Sequence, residues 1–381
     1  MKMTIAKTDL EKAIGITAYS LGSDGTADWT KNYFLRQTEN GMDVHTTNHR
    51  YCSSTSINTC TVNGEIASGF NLPASRFKDM FNYMENNVVT LTVKDNIVTV
   101  HNSRGNVRFP CNKQDFPYWD KSVSSAKTML TLKAESLYEI INHHKKFVAK
   151  PDAKSVVYRY ISFQNGGVLS GDGLNMCLTV SDDLNNADFY LTKLDVNPLL
   201  GFLKSCDGDI TITHCDKMVY FKSNSDAVFG MVKPPKRVCA GLSGIDVGMM
   251  KSSLTDVLAE WSTSKSNLIN SFGMLGFTMS EDDKVVKFEF KDGSLFFNGR
   301  SMAGGIDTLE VGLTTFKDDT KVLDNVSYFN REVFTKVLKL IDGDDITIKT
   351  LKSLNNSPVV DHTVSGYSTY SLVVPIQSAN F

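Results

Sequence analysis

The chain has 381 residues, 41% of them hydrophobic and 22% charged, and its 40 basic against 42 acidic side chains leave a formal net charge of −2. This mix excludes a disordered or fibrous chain, and the near-neutral balance excludes a protein that grips nucleic acid by bulk charge alone. No run of eighteen apolar residues occurs, and the opening Met1-Lys2-Met3-Thr4-Ile5-Ala6-Lys7-Thr8-Asp9 turns charged before a signal-peptide core can form, so a soluble chain with no membrane partner is expected.

In chain order, Met3-Thr4-Ile5 reads as a short strand leading into the helical stripe Leu10-Glu11-Lys12-Ala13-Ile14. His45 and His49 are four apart, which would suit a metal pair on a helix. They lie instead in Met42-Asp43-Val44-His45-Thr46-Thr47-Asn48-His49-Arg50, which alternates like a strand and its exit, so no metal is expected there. A second helix, Phe77-Lys78-Asp79-Met80-Phe81, precedes Asn87, the strand Val88-Val89-Thr90-Leu91-Thr92-Val93 and a hairpin turn at Lys94-Asp95-Asn96. Residues 119–127 are small and polar and mark a boundary.

The same pattern then returns. Leu130-Thr131-Leu132 leads into Leu137-Tyr138-Glu139-Ile140-Ile141, and Leu199-Leu200-Gly201-Phe202-Leu203 is followed by Asp207-Gly208-Asp209 and Ile210-Thr211-Ile212-Thr213. A second boundary falls at 238–244. Beyond it, Val247-Gly248-Met249 reads as a strand before the helix start Leu254-Thr255-Asp256-Val257-Leu258, and Asp292-Gly293 turns a hairpin between 285–290 and 294–297. Val333-Phe334-Thr335-Lys336-Val337-Leu338 then precedes Asp342-Gly343-Asp344 and Ile346-Thr347-Ile348-Lys349. The first helical leucines, Leu10, Leu137 and Leu254, stand 127 and 117 residues apart, and one third of 381 is 127. The expected fold is α+β, with three tandem domains over 1–122, 127–240 and 245–381. Each is a pseudo-twofold pair of helix-plus-antiparallel-strand units around a shared core. The seven cysteines include no C-x-x-C pair, so free buried thiols are expected rather than disulfides or zinc.

These residues resemble the bacterial β-type DNA polymerase sliding clamp, the processivity ring of replication, over essentially the whole chain. Met1-Lys2-Met3-Thr4-Ile5 with Leu10 and Lys12 is similar to that family's opening, and Leu72-Pro73-Ala74-Ser75-Arg76-Phe77-Lys78-Asp79 to its V-P-A-(K/R)-x-F-x-D helix start. Asp115-Phe116-Pro117, Gly171-Asp172-Gly173, Phe329-Asn330 and Val373-Val374-Pro375-Ile376 match its D-F-P, T-D-G, F-N and V-M-P-M positions in order. The family's H-R after the T-D-G is replaced by Leu174-Asn175, and Gln377-Ser378-Ala379-Asn380-Phe381 runs past the usual end. Such divergence suits a clamp adapted to other partners, including a phage-encoded one.

The resemblance implies half of a closed ring, completed by a head-to-tail homodimer that encircles double-stranded DNA without reading its sequence. The ring would act in the bacterial cytoplasm, or in a host's if phage-encoded. Twelve helices about 10 Å across make a circle about 38 Å through their axes, leaving about 28 Å clear, enough for a duplex. The helices expected over 7–19, 76–86, 133–149, 193–204, 249–265 and 330–342 together carry +3, against −5 for the rest. That bias suits loose centring of DNA by Lys12, Arg76, Lys78, Lys145, Lys146, Lys193 and Lys336. By the same resemblance, a groove between the second and third domains would hold short peptides of the replicative polymerase and the clamp loader. Tyr160, Ile161, Gly173, Leu174, Met176, Arg237, Val238, Leu372, Val374, Pro375 and Ile376 would line it. Strand 107–109 is expected to pair with a partner edge near Trp261, Leu268 and Ile269.

Enzymatic readings are weak. Ser262-Thr263-Ser264-Lys265 and Ser124-Ser125-Ala126-Lys127 fit S-x-x-K, but no S-D-N or K-T-G accompanies them. The Asp-Gly-Asp turns lack a calcium loop's glutamate, and no G-x-x-x-x-G-K-[ST] loop is present, so no cofactor and no catalysis are expected. The alternative from another class is a triplicated protein-binding scaffold that never encircles DNA.

Overall fold

The computed structural model describes residues 1–23, 25–64, 69–103, 105–111, 116–117, 119–150, 153, 155–235, 247–291, 294–318, 327–354 and 357–376. The first repeat runs β1 (Lys2–Ala6), α1 (Lys7–Thr17), β2 (Asn32–Thr38), β3 (Gly41–Thr47), β4 (Tyr51–Ile57), β5 (Thr61–Asn63), β6 (Phe70–Pro73), α2 (Ala74–Phe81), β7 (Val88–Lys94), β8 (Ile97–Asn102) and β9 (Gly105–Pro110). After a short α3 (Asp120–Ser124) come β10 (Lys127–Lys133), α4 (Ala134–His144), β11 (Tyr160–Gln164), β12 (Gly167–Gly171), β13 (Asn175–Val180), β14 (Asp188–Thr192), α5 (Lys193–Lys204), β15 (Asp209–His214), β16 (Met218–Ser223) and β17 (Val228–Val232). The helix α6 (Val247–Ser253) precedes the third repeat. That repeat comprises β18 (Val257–Ser264), α7 (Lys265–Thr278), β19 (Val285–Lys291), β20 (Ser294–Arg300), β21 (Ile306–Val311), β22 (Thr315–Asp318), β23 (Ser327–Asn330), α8 (Arg331–Leu338), β24 (Asp345–Leu351), β25 (Ser357–Val364) and β26 (Tyr367–Val373).

Each repeat is thus a strand, a helix and a run of antiparallel strands, taken twice, with three strands in each run and a short extra one, β5 or β22, ending the first run of the first and third repeats; the pairing of helix-plus-strand units is as the sequence predicts. What the pattern does not foretell is that the two halves exchange their first strands. β1 pairs with β7 in the sheet β5-β1-β7-β8-β9, while β6 pairs with β2 beside β3 and β4. β10 with β15–β17, β14 with β11–β13, β18 with β24–β26 and β23 with β19–β21 repeat the exchange. Neighbouring repeats also fuse their sheets. β4 pairs antiparallel with β17, giving an eight-stranded sheet, and β13 pairs antiparallel with β26, giving a nine-stranded one.

Two compact units emerge, Met1–Tyr138 with Leu194–Lys233, and Glu139–Lys193 with Pro234–Phe381. In the first unit α1 buries Leu10, Ala13 and Ile14, at helical spacing, against Phe77 and Phe81 of α2 and the alternating Val89 and Leu91 of β7. In the second, Leu268, Phe272 and Leu275 of α7 meet Phe334 of α8 and a ring stack of Phe272, Phe288 and Phe297. The turns of Asn, Asp and Gly have a shared task. The carbonyls of Asn87, Gly208 and Asp344 accept the first N–H of α1, α4 and α7 from Lys7, Ala134 and Lys265, at 2.8, 2.8 and 2.6 Å. Asp95 and Asn96 both take positive φ, which makes the β7–β8 hairpin turn as expected.

The third start requires correction. Residues 247–253 form a helix, not a strand, and Leu254 opens no helix. The repeat begins at β18, where Ala259, Trp261 and Thr263 alternate inward and Ser264 accepts the Asn267 N–H as the N-cap of α7. Small and hydroxylated inward residues hide this alternation in the sequence. Leu268 is therefore the counterpart of Leu10 and Leu137, placing the starts 127 and 131 residues apart. The expected boundary at 119–127 carries α3, whose Asp120 is ion-paired to Arg36 at 2.6 Å; the one at 238–244 lies outside the described residues. His45 sits in β3 as expected, buried beside Trp119. The six described cysteines are free thiols, and Cys52, Cys111, Cys177 and Cys206 are buried. No described helix is long and apolar enough to cross a membrane.

Candidate functional site

Because each helix buries one stripe against a sheet, its charged residues are forced to the opposite side. Lys12 on α1, Arg76 and Lys78 on α2, Lys193 at the start of α5 and Lys336 on α8 are all exposed. Lys145, half-buried, and Lys146, exposed, stand in the turn after α4 rather than on the helix, which ends at His144. Among the described residues, Lys12, Arg76, Lys78, Lys146, Lys193 and Lys336 make no ion pair, whereas Arg36, Arg50, Lys284 and Lys349 are paired with carboxylates. Lys12 also borders a cavity of about 260 Å³ whose lining mixes Ala13, Ile16 and Ile57 with Asp9, Thr55 and Asn58, a recess that no motif announces.

The helix α7 differs. Its lone cation, Lys265, donates to the Ile341 carbonyl at 2.8 Å, and Ser262 is hydrogen-bonded to Thr347 at 3.0 Å, so neither group of that S-x-x-K match is idle. Outward it shows Met274 and Phe277, the latter 85% exposed. Met302, whose N–H donates to the Thr278 carbonyl at 2.8 Å, and Ile306 of β21, 58% exposed, extend this apolar surface to the edge of the four-stranded sheet. Both β21 and β9 end their sheets without a second neighbour among the described residues. The strand at 107–109 is thus an edge, as expected. The expected partner edge is wrong: Trp261 is 1% exposed between β22 and β24, and Leu268 is fully buried in the core.

The residues expected to line a peptide groove gather at one end of the β13–β26 pair. Met176 and Leu372 are register partners, and with Val374, Met250 and Leu254 they form one apolar cluster. The Val374 N–H donates to the Leu174 carbonyl at 2.9 Å, setting Pro375 and Ile376 beside it, both half-buried. Leu174 itself is 51% exposed. Gly173 has φ +93°, and the Tyr158 ring lies 3.2 Å from where a Cβ would be. Tyr160 is half-buried at the start of β11, while Ile161 and Leu372 are buried and back the surface from within. Arg237 and Val238 lie outside the described residues. The helix α6 covers the neighbouring part of the sheet with Val247 and Met250.

On the opposite face of the same strand pair lies a polar layer that the sequence reading overlooked. His144 Nδ1 is 2.8 Å from Ser170 Oγ, and its Nε2 is 2.9 Å from Thr179 Oγ1, which in turn is 2.9 Å from Thr369 Oγ1. His362 Nε2 is 2.9 Å from Ser371 Oγ, and the His143 and His362 rings are 5.2 Å apart. Burial drives these imidazoles toward the neutral form, pushing His143 down to about 3 and His362 to about 4, with His144 well below the usual histidine range. The adjacent pair His143-His144 at the end of an apolar helical stripe was the available clue. No cluster of metal-ligating side chains is present among the described residues.

No protein-family description and no curated protein matches this sequence. Solved structures do match along its length. The DNA polymerase III β subunit of Thermotoga maritima aligns over 99% of this chain and 100% of its own, with TM-score 0.69 and 17% identity. The DNA polymerase sliding clamp of Bacillus subtilis aligns over 99% of both chains, with TM-score 0.70 and 13% identity. The DNA polymerase III β chain of Streptococcus pneumoniae aligns over 99% and 100%, with TM-score 0.73 and 15% identity. The chain therefore has the β sliding-clamp fold, in a form far diverged in sequence.

Proposed function

We propose that this chain is a non-catalytic DNA sliding clamp. Two copies close head to tail around duplex DNA and tether a replicative polymerase, and a clamp loader, through short peptides. The observation that carries this reading is the pairing left undone by the repeats. At each internal junction the third strand after one repeat's first helix pairs with the third strand after the following repeat's second helix: β4 with β17, and β13 with β26. The two strands of those classes left over are β21 and β9. A second copy supplies β9 to β21 and β21 to β9, and heterologous contacts of this kind close when the rotation returns to its start. The repeats are taken as domains over 1–122, 127–240 and 245–381, and the ring works in the cytoplasm where the DNA is copied.

Enclosure predicts its own assay. Loaded on a closed circular duplex, the protein stays bound until the circle is cut, whereas on a linear duplex it is lost from the ends; equal retention on both would sink the clamp reading. The cations on the helices and at the end of α4 centre the DNA loosely. Lys145→Glu with Lys146→Glu is expected to lower the salt slope of DNA association by about 2, one for each lost phosphate contact. An unchanged slope would remove the α4 end from the DNA-facing surface.

Self-association is tested separately. Ile306→Asp places a charge on the apolar edge of β21 and is expected to weaken the dimer at least about tenfold, read by sedimentation velocity across a concentration series. A variant that dimerises like the parent would locate the junction elsewhere.

A further inference from the structure

We infer that α6 is a built-in cover, a segment of the chain's own linker that lies on the apolar surface of the β13–β26 pair and comes off as a unit, so that a partner must displace it. The inference rests on the groove reading above and concerns what holds that surface when no partner does.

One helical stripe seats α6. Val247, Met250 and Leu254, the last just beyond the helix, stand at i, i+3 and i+7 and face the sheet, while Met249 is 66% exposed. Val247 is buried with Leu169 and Leu178, and Met250 and Leu254 share their cluster with Met176, Leu372 and Val374. Gly167 leaves room for the first of these contacts, since a Cβ there would meet Val247 Cγ1 at 2.7 Å. Strand alternation puts Met176 and Leu178 on one face of β13 and Cys177 and Thr179 on the other, with His144. The face that α6 covers is therefore continuous with the surface expected to hold a peptide.

The sheet beneath is complete without its cover. β13 is laddered to β12 and β26, and β26 to β25, and α6 adds no strand to them. Seven residues that include Gly248, Ser252 and Ser253 do not hold a helix in water by themselves, so α6 keeps its form only while seated. The linker of the preceding junction shows a fixed alternative. There the Asp120 carboxylate of α3 pairs with Arg36 of β2 at 2.6 Å, and the Val123 carbonyl accepts from Lys222 of β16 at 3.0 Å. The seat of α6 is instead an apolar stripe, with an exposed hydrogen bond from Lys251 Nζ to the Asn165 carbonyl at 3.1 Å. A cover held this way competes directly with an apolar partner, whose apparent affinity falls by the fraction of molecules in which the surface is free.

Hydrogen exchange on the full chain reads the release. The hydrogen-bonded amides at the end of α6, Leu254 among them, are expected to exchange at least about tenfold faster than those of β13, because α6 opens without the sheet. Met250→Asp is expected to strip this protection and leave β13 unchanged. Met249→Asp puts the same charge on the exposed side and is expected to behave as the parent. A synthetic peptide copying residues 247–256, capped at both ends, is then titrated while the Met176 methyl resonance is followed. It is expected to bind the Met250→Asp chain at least about tenfold more tightly than the parent. Exchange of α6 and β13 at one rate, loss of β13 protection in Met250→Asp, or a peptide that binds this variant no better than the parent would each make α6 a fixed part of the core. Those results leave the groove reading standing, since Met176, Leu372 and Val374 remain. Release of α6 in a chain that is not retained on a closed circle would instead remove the clamp and keep the cover.

Discussion

Arg50→Met is expected to destabilise the unit formed by Met1–Tyr138 and Leu194–Lys233 by about 3 kcal/mol, the low end for breaking a buried ion pair. Asp195 is 2% exposed on α5 and accepts from Arg50 and from the Tyr51 hydroxyl, the latter at 2.9 Å. Without the guanidinium, a buried carboxylate loses its charged donor and keeps the neutral Tyr51 hydroxyl. The low end applies because Arg50 is itself partly exposed, so solvent already screens the pair. Urea unfolding of the variant should show a lower midpoint at unchanged slope. Arg50→Met with Asp195→Leu should recover most of the loss, since an apolar pair of similar size leaves no stranded charge. Failure of the double variant to recover would mean that Arg50 acts through packing.

Acid should unfold the other unit first. His143 and His362 are held near 3 and 4 in the folded chain, against about 6.5 when unfolded, and His144 is lowered in the same sense. Below about pH 6.5 the unfolded chain takes up protons that the folded chain cannot, so stability is fully present above that value and falls as pH drops through about 4. Each such imidazole contributes a slope of at most about 1.4 kcal/mol per pH unit. The first unit meets its own carboxylate loss later, because Asp43, although desolvation raises it, is held down to about 2 by His45, Arg36 and Ser56. Trp261 is the one tryptophan of the second unit, Trp29 and Trp119 belonging to the first. A variant retaining only Trp261 should report unfolding between pH 6 and 4, and one retaining Trp29 and Trp119 should respond at lower pH. Simultaneous loss of both signals would contradict the assignment.

Much of the fold was legible because local periodicity and burial agree. The helix over 193–204 has the observed bounds of α5, and strands β7, β15 and β24 share an inward alternation from Val89, Ile210 and Ile346 onward. Failure came where inward residues are not apolar: β18 faces inward with Ala259, Trp261 and Thr263, and the apolar run at 247–250 mimicked a strand. Strand exchange and sheet fusion were beyond reach, since alternation identifies a buried face but not the neighbour that covers it. At the candidate site, exposed cations follow from helix amphipathicity. The layer of His144, Ser170, Thr179 and Thr369 joins side chains from four distant segments, which no spacing rule connects.

The exchange of first strands also governs how the protein is made. When β10 leaves the ribosome its partner β15 is some eighty residues from being synthesised, and β1 and β18 wait as long for β7 and β24, although β5 and β22 reach their other edges sooner. The nascent chain therefore carries the first strand of each repeat without the sheet of the second half that completes its pairing. A cut between the halves of a repeat would part β1 from β7, β10 from β15 or β18 from β24, and on the other side β6 from β2, β14 from β11 or β23 from β19.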